Sequence, residues 1–211
     1  MEILLLDAAN TLIHKPSLWD QLIIVLEKHH YSVEKEALFL RHKMVSEIIN
    51  FPDRTTKDFY TEFNSELLLA LGIIPTEKIL SDIFSACSYL PWAAFDDCGI
   101  LKELNIKKAV LSNFNSTLKN LTDQLIGENI FDEIIISENE NCRKPSVDFY
   151  HLAVEKLGVN PENILYIGDS LKLDVIPAQK TGMNTLLIDR ENIFPYAENR
   201  ISSFKEIIHY I

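Results

Sequence analysis

The chain has 211 residues, 47% of them hydrophobic and 24% charged, which is enough apolar side chain for the core of one ordinary domain with an insert. Its 20 Lys and Arg stand against 31 Asp and Glu, a net charge of −11, and the basic residues fall singly or in pairs. That excludes the basic patch on which binding to a nucleic-acid backbone depends, and suits the acidic residues to cations instead. Six Gly and eight Pro leave no room for collagen-like or long disordered tracts. Cys87, Cys98 and Cys142 are an odd number without paired spacing, so neither a disulfide framework nor a zinc knuckle is expected, and a reducing compartment is. No apolar run approaches the roughly 20 residues that span a bilayer. The first residues enter an apolar run directly, without a basic segment or cleavage site, so a cytoplasmic protein without membrane or nucleic-acid partners is expected.

In chain order, Ile3-Leu4-Leu5-Leu6 is a continuous apolar run ending in Asp7, the pattern of a strand buried on both faces of a parallel sheet. Four amphipathic helices follow with no strand between them: Leu18 to His29, Glu34 to Asn50, Thr56 to Leu71 and Glu77 to Ser88. Pro16 and Pro75 lie near helix starts, where a missing amide proton costs little. Phe59, Tyr60, Phe63 and the Leu67 to Leu71 cluster recur at helical spacing and belong to the core of this insert. Beyond it, strands at Lys107 to Leu111, Glu133 to Ile136, Ile164 to Ile167 and Asn184 to Ile188 alternate with helices at Thr117 to Ile126, Val147 to Leu157 and Leu171 to Lys180. Such alternation implies right-handed crossovers and a sheet covered on both sides. The expected fold is α/β: a five-stranded parallel core formed by residues 1–14 and 91–211, and a helical insert at 15–90 placed to cover a site at the carboxyl edge of the sheet.

That edge is where the chemistry gathers, because ligands of such sheets bind outside the carboxyl ends of the strands. The first strand ends in Asp7-Ala8-Ala9-Asn10-Thr11-Leu12, and the second in Leu111-Ser112-Asn113. Arg143-Lys144-Pro145 precedes the helix after the third, and Gly168-Asp169-Ser170 with Asp174 follows the fourth. A carboxylate, a hydroxyl with an amide, an ammonium and a further carboxylate suit Mg²⁺ and phosphate. As residues alone, Asp7, Ser112, Asn113 and Asp169 are also of the kinds that cap turns and helix starts. Lys144 on the same terms is a surface lysine before a Pro-initiated helix, and Asp174 a solvated acid.

With these four motifs in this order, the chain resembles the haloacid dehalogenase superfamily of hydrolases over almost its whole length, in the subgroup with a helical cap inserted after the first strand. Lys144-Pro145 and the stretch from Gly168 to Asp174 are closely similar to the third and fourth motifs of that family. The resemblance implies a Rossmann-like core with a four-helix-bundle cap. It also implies a Mg²⁺-dependent phosphatase that acts on a small phosphorylated metabolite through a phosphoaspartyl enzyme, as a monomer or homodimer. Asp7 matches the nucleophile, and Thr11, Ser112 and Asn113 match phosphate-binding positions, the latter two at the start of a helix. Lys144 matches the cation that offsets transition-state charge. Asp7, the backbone carbonyl of Ala9, and Asp169 match the Mg²⁺ ligands, and Asp174 the outer acid that orients the lysine or a water of the metal. Asn10 stands where the family usually has Gly, and tolerates the left-handed backbone that position takes.

The departure is Ala9, because the family's phosphatases carry there an Asp that protonates the leaving oxygen. A positioned acid/base contributes about 10²- to 10⁴-fold, so alkyl phosphates should turn over poorly, while a phenolate leaving group needs less help. Three alternatives fit a missing Asp: a catalytically impaired phosphate- or partner-binding protein, a phosphonatase, or a 2-haloacid dehalogenase. A phosphonatase needs a Schiff-base lysine, for which Lys43 is the nearest candidate. Dehalogenases lack the metal Asp that Asp169 matches, and Arg41 in the insert, although similar to their halide-binding arginine, reads as a surface residue. His14 is the side chain best tuned to replace the missing acid near neutral pH.

Overall fold

The run Ile3–Leu6 forms strand β1 in the middle of a parallel sheet, with neighbours on both sides. A computed structural model describes all 211 residues. The remaining elements are β2 (Ile13–His14), α1 (Leu18–Lys28), α2 (Lys35–Ile48), α3 (Lys57–Ala70), α4 (Glu77–Cys87), β3 (Ala93–Ala94), β4 (Lys107–Ser112), α5 (Leu118–Leu125), β5 (Glu133–Ile136), α6 (Ser137–Glu140), α7 (Val147–Leu157), β6 (Ile164–Gly168), α8 (Ile176–Lys180), β7 (Asn184–Ile188) and β8 (Arg200–Ile201). The chain divides into two compact units, Met1–His14 with Ala93–Ile211, and Lys15–Trp92. It passes between them beside the antiparallel pair β2–β3, in which Ile13 faces Ala94 and His14 faces Ala93.

In the first unit the strand order is β5-β4-β1-β6-β7-β8, every pair parallel. Leu6 stands level with Val110 of β4 and Ile167 of β6, so the residues that follow these strands emerge at one edge. Ile3 and Leu5 pack with Ala109, Leu111, Ile135 and Tyr166 against Phe149, Tyr150 and Ala153 of α7. Leu4 and Leu6 point to the other face and are equally enclosed, which is why the run shows no alternation. Full burial of one such Leu is worth about 1.5–3 kcal/mol.

The sheet has six strands rather than the expected five. The sixth, β8, is two residues long and carries no periodic signal. Its pairing is set by Asp189, whose carboxylate accepts the amides of Ile193 and Phe194, both at 2.8 Å, and Nη1 of Arg200 at 3.0 Å, turning the chain back alongside β7.

In the second unit the four helices close a ring of contacts, α1 on α4, α4 on α3, α3 on α2 and α2 on α1. Leu22, Val25, Leu26, Leu38, Leu67, Leu68, Ile79 and Ile83 form the centre. Thr56 and Thr76 cap α3 and α4 by accepting the amides of Phe59 and Ile79. Leu69, expected inside, is 54% exposed because it falls off the apolar stripe. No helix of the chain is long and apolar enough to cross a membrane.

An aromatic belt runs along this unit, with His42 between Trp19 and Phe63, each ring centroid 4.9 Å away. Burial, reinforced by the neighbouring Lys43 cation, pushes the His42 pKa down to about 4. Between that value and the unfolded 6.5 the unfolded chain binds the extra proton, so stability from this group is lost as pH falls through the window. Urea unfolding of His42→Phe should therefore show a pH slope shallower than wild type by up to one proton between pH 6.5 and 4; identical slopes would contradict the neutral, enclosed imidazole.

Candidate active site

Asp7 is set by the sheet, its amide donating to the carbonyl of Ile167 at 2.9 Å as β1 ends. The chain then turns tightly about one carbonyl: the amides of Thr11, Leu12 and Ile13 converge on Ala8 O at 3.3, 2.8 and 3.0 Å. Such a turn needs a left-handed residue, and Asn10 supplies it with φ of 60°. Ala9 lies inside the turn, bridged to Ile13, and its methyl brings no acid or base.

Two further strand ends reach Asp7. Ser112 at the end of β4 donates its hydroxyl to Asp7 Oδ1 at 3.2 Å. Lys144, 2% exposed, places Nζ 2.6 Å from the same oxygen and 2.7 Å from Asp174 Oδ1. The lysine is held by its main chain as well: Asn113 Oδ1 accepts the Lys144 amide at 2.8 Å and Asn113 Nδ2 donates to the Lys144 carbonyl at 3.0 Å. Asp7 Oδ2 stays outside the hydrogen bonds to Ser112 and Lys144.

The fourth strand contributes through an unusual turn. The stretch expected as one helix from Leu171 to Lys180 is a wide turn over Leu171–Val175 followed by the short α8. Pro177 lacks the amide that a continuous helix would use at that point. In the widened turn both Asp174 N and Val175 N reach Ser170 O at 3.1 Å. Ser170 Oγ accepts the amide of Leu173 while Asp174 Oδ2 accepts the amide of Ser170 at 3.0 Å. This reciprocal cap resembles a capping box lengthened by one residue, and it turns the Asp174 carboxylate back toward Lys144.

Oxygens of Asp7, Asp169 and Asp174 lie within 4.8 Å of one another. Burial pushes the Asp7 carboxyl up to about 7; Lys144 opposes that, while Asp174 and Asp169 add to it. Burial alone would lower Lys144, but the attraction of Asp174 and Asp7 holds it above the ordinary lysine value. Within the cluster the Lys144 ammonium meets the carboxylates of both Asp7 and Asp174. Tyr166, whose ionisation burial and Asp174 suppress, donates to Asp174 Oδ1 at 2.7 Å.

The structure thus brings together Asp7, Ser112, Lys144, Asp169 and Asp174. Two expectations need correction. The Asn113 side chain is committed to the Lys144 backbone on both its atoms, and α5 begins only at Leu118, so neither the amide group nor a helix start at Asn113 is offered to a phosphate. Thr11 is fully enclosed, and its hydroxyl lies outside the hydrogen bonds that join Asp7, Ser112, Lys144 and Asp174. His14 lies flat on Phe95, ring centroids 4.1 Å apart, and its pKa is lowered by burial and then by Arg190, against an opposing pull from Asp96. Lys43 is ion-paired with Glu47 at 3.3 Å.

Tyr166 is a participant that the sequence reading does not single out. A tyrosine inside an otherwise aliphatic buried strand is a usable signal, because its hydroxyl must find a partner. Gly168 opens the fourth motif, and the structure supplies its steric reason: a Cβ there would lie 2.3 Å from Asp174 Cγ, a contact made only in the folded chain.

The family model for haloacid dehalogenase-like hydrolases matches residues 1–182, and the chain belongs to that family. Among curated proteins it is 32% identical over 95 residues to haloacid dehalogenase-like hydrolase domain-containing protein 3 of Xenopus laevis, covering 45% of this chain and 38% of that protein. It is 27% identical over 143 residues to glyceraldehyde 3-phosphate phosphatase of Methanocaldococcus jannaschii, covering 54% and 62% respectively. The chain therefore spans less than two thirds of either relative. Among solved structures, the HAD-hydrolase YfnB of Bacillus subtilis, determined with bound magnesium, shares the fold at a TM-score of 0.69 and 17% identity, covering 99% of this chain and 97% of that one.

Gly168→Ala should lose about 1–3 kcal/mol in urea unfolding, as overpacking generally does, because the Cβ displaces the Asp174 carboxylate; unchanged stability would mean that Asp174 can move aside freely. In the metal-free protein, Asp7 binds its proton more tightly when folded than at its unfolded 3.8, so its contribution is fully present below that value and is lost as pH rises toward about 7. The stability of wild type relative to Asp7→Asn, measured by urea unfolding in EDTA, should accordingly fall across that window.

Proposed function

We propose that the protein is a Mg²⁺-dependent phosphatase of a small phosphorylated metabolite, acting through Asp7. The observation that carries this is the Asp7 carboxylate, held at Oδ1 by Ser112 and Lys144 while Oδ2 is left for attack, where oxygens of three carboxylates converge. The name of the Methanocaldococcus jannaschii relative, a glyceraldehyde 3-phosphate phosphatase, supports the substrate class.

Asp7 Oδ2 attacks phosphorus as the bond from phosphorus to the leaving oxygen breaks, giving a phosphoaspartyl enzyme. Water then attacks the same phosphorus, releasing phosphate and restoring the carboxylate. Ser112 keeps Asp7 in line, and Lys144 offsets negative charge as it spreads over the phosphoryl oxygens. Asp174, fixed by Tyr166 and the Ser170 amide, keeps the ammonium aimed. Carboxylates are the donor set a hard cation takes, and the three that converge here fit a divalent ion held by Asp7 and Asp169, with the Ala9 carbonyl as a third protein ligand. When bound, Mg²⁺ supplies further neutralisation of the phosphoryl oxygens.

Ala9 leaves the departing oxygen without a protein acid, and His14, stacked on Phe95 with a lowered pKa, is poorly suited to the role. Turnover should therefore depend steeply on leaving-group acidity. The partner is a small molecule, and the unpaired Cys87 and Cys98, whose thiols burial pushes up to about 11 and 12, suit a reducing, cytoplasmic setting.

With Mg²⁺, an aryl phosphate should be cleaved well and an alkyl phosphate poorly, both activities vanishing in Asp7→Asn. Ala9→Asp should raise alkyl turnover by about 10²- to 10⁴-fold. Mg²⁺ should also raise the melting temperature of wild type and not of Asp169→Asn, a readout independent of turnover. Failure to cleave either ester while Mg²⁺ still binds would replace this reading with that of a phosphate- or partner-binding protein.

A further inference from the structure

Arg190, two residues beyond β7, lies outside the stretch matched by the family model. Its guanidinium nonetheless reaches the loop that carries Asp7. Nη2 donates to the carbonyl of Thr11 at 3.1 Å, and Nη1 is 2.7 Å from Asp97 Oδ2. The group lies 3.9 Å from the centroid of the Phe95 ring and 5.1 Å from that of Phe204. Asp97 is anchored in turn by the hydroxyl of Ser203 and the amide of Phe204, both at 2.8 Å. One planar cation thus ties together the loop after β1, the segment after β3 and the C-terminal stretch, all within one unit.

The loop has reason to need the tie. Its three amides are already spent on Ala8 O and leave none for the Thr11 carbonyl, and a buried carbonyl without a partner is unfavourable. Beyond Arg190, Phe95 N and Cys98 Sγ hold the next carbonyl, Leu12 O, at 3.1 and 3.2 Å. A lysine could neutralise Asp97, but it lacks the planar fork that meets two acceptors while stacking between rings.

We propose that Arg190 is a positioning residue: by holding the Thr11 carbonyl it orders the turn from Ala8 to Ile13 and so the direction in which Asp7 presents its attacking oxygen. The effect on turnover rests on the phosphatase reading above, whereas the ordering of the turn does not. A purely structural role, fastening the C-terminal stretch through Asp97, predicts that Arg190→Lys and Asp97→Asn behave alike.

The experiment compares wild type, Arg190→Lys and Asp97→Asn by backbone amide hydrogen exchange and by Mg²⁺-dependent aryl phosphate kinetics, with melting temperature as the check on folding. In Arg190→Lys the amides of Thr11, Leu12 and Ile13 should exchange about 10- to 100-fold faster, as loss of a charged hydrogen bond allows, with those of β4 unchanged. Its kcat should fall about 10- to 100-fold, the scale of a small misalignment, with KM changed less than about threefold. Asp97→Asn should leave the exchange of the turn near wild type. Unchanged exchange of the turn in Arg190→Lys overturns the proposal, as does faster exchange with unaltered kcat, or equal effects of the two variants. If wild type cleaves no ester, the phosphatase reading fails separately, and the exchange data still decide whether Arg190 orders the turn.

Discussion

Everything at the candidate site depends on one buried ammonium. Lys144 is 2% exposed, and removing an ion of that size from water costs several kcal/mol that only well-placed partners offset. Asp7 and Asp174 are those partners, at 2.6 and 2.7 Å. Deleting one partner of such a buried pair generally costs about 3–5 kcal/mol, since an uncompensated charge remains. Each segment around the lysine is constrained accordingly: β1 must end at Asp7, Asn113 must grip the lysine main chain, and the turn after β6 must be wide enough to bring Asp174 back. The central place of β1, between β4 and β6, is what makes the three approaches compatible.

The same ammonium is shared by two acids. Burial raises the Asp7 carboxyl above its ordinary value against the pull of Lys144, and the neighbouring Asp174 and Asp169 add to the rise. In the phosphatase proposed above, binding a cation and activating Asp7 would be a single electrostatic event, with the leaving group a separate matter that Ala9 leaves to the substrate. The tight turn from Ala8 to Ile13 is closed by its own amides on Ala8 O, and Arg190 adds a contact from a distant part of the chain at the Thr11 carbonyl.

Much of this could be read before any coordinates. Ile3–Leu6, Glu133–Ile136, Val147–Leu157 and Asn184–Ile188 lie where periodicity places them, since long apolar runs and amphipathic stripes are local properties. The acid, hydroxyl and ammonium at the strand ends could be picked out because ligands of such a sheet bind outside the carboxyl ends of its strands. Local reasoning failed wherever a partner was remote. The two-residue β8 exists only through Asp189, the break at Val175 only through Pro177 and the reciprocal bonds of Ser170 and Asp174. Asn113 looks like a ligand for phosphate until its amide is seen spent on residue 144, 31 positions away.

Periodicity and composition were thus enough to indicate an α/β chain with a helical insert, and the resemblance carried by the motifs nominated Asp7, Ser112, Lys144, Asp169 and Asp174, because those signals sit in contiguous stretches. Which of the polar residues touch one another, that Thr11 and Asn113 serve the scaffold, that Tyr166 joins the charge cluster and that Gly168 must have no side chain were decided by tertiary structure alone. The reason is physical: hydrogen bonds and ion pairs are ångström-scale contacts between residues as far apart in the chain as Lys144 and Asp7, 137 positions, or Arg190 and Thr11, 179 positions, and only the folded backbone brings such residues within reach.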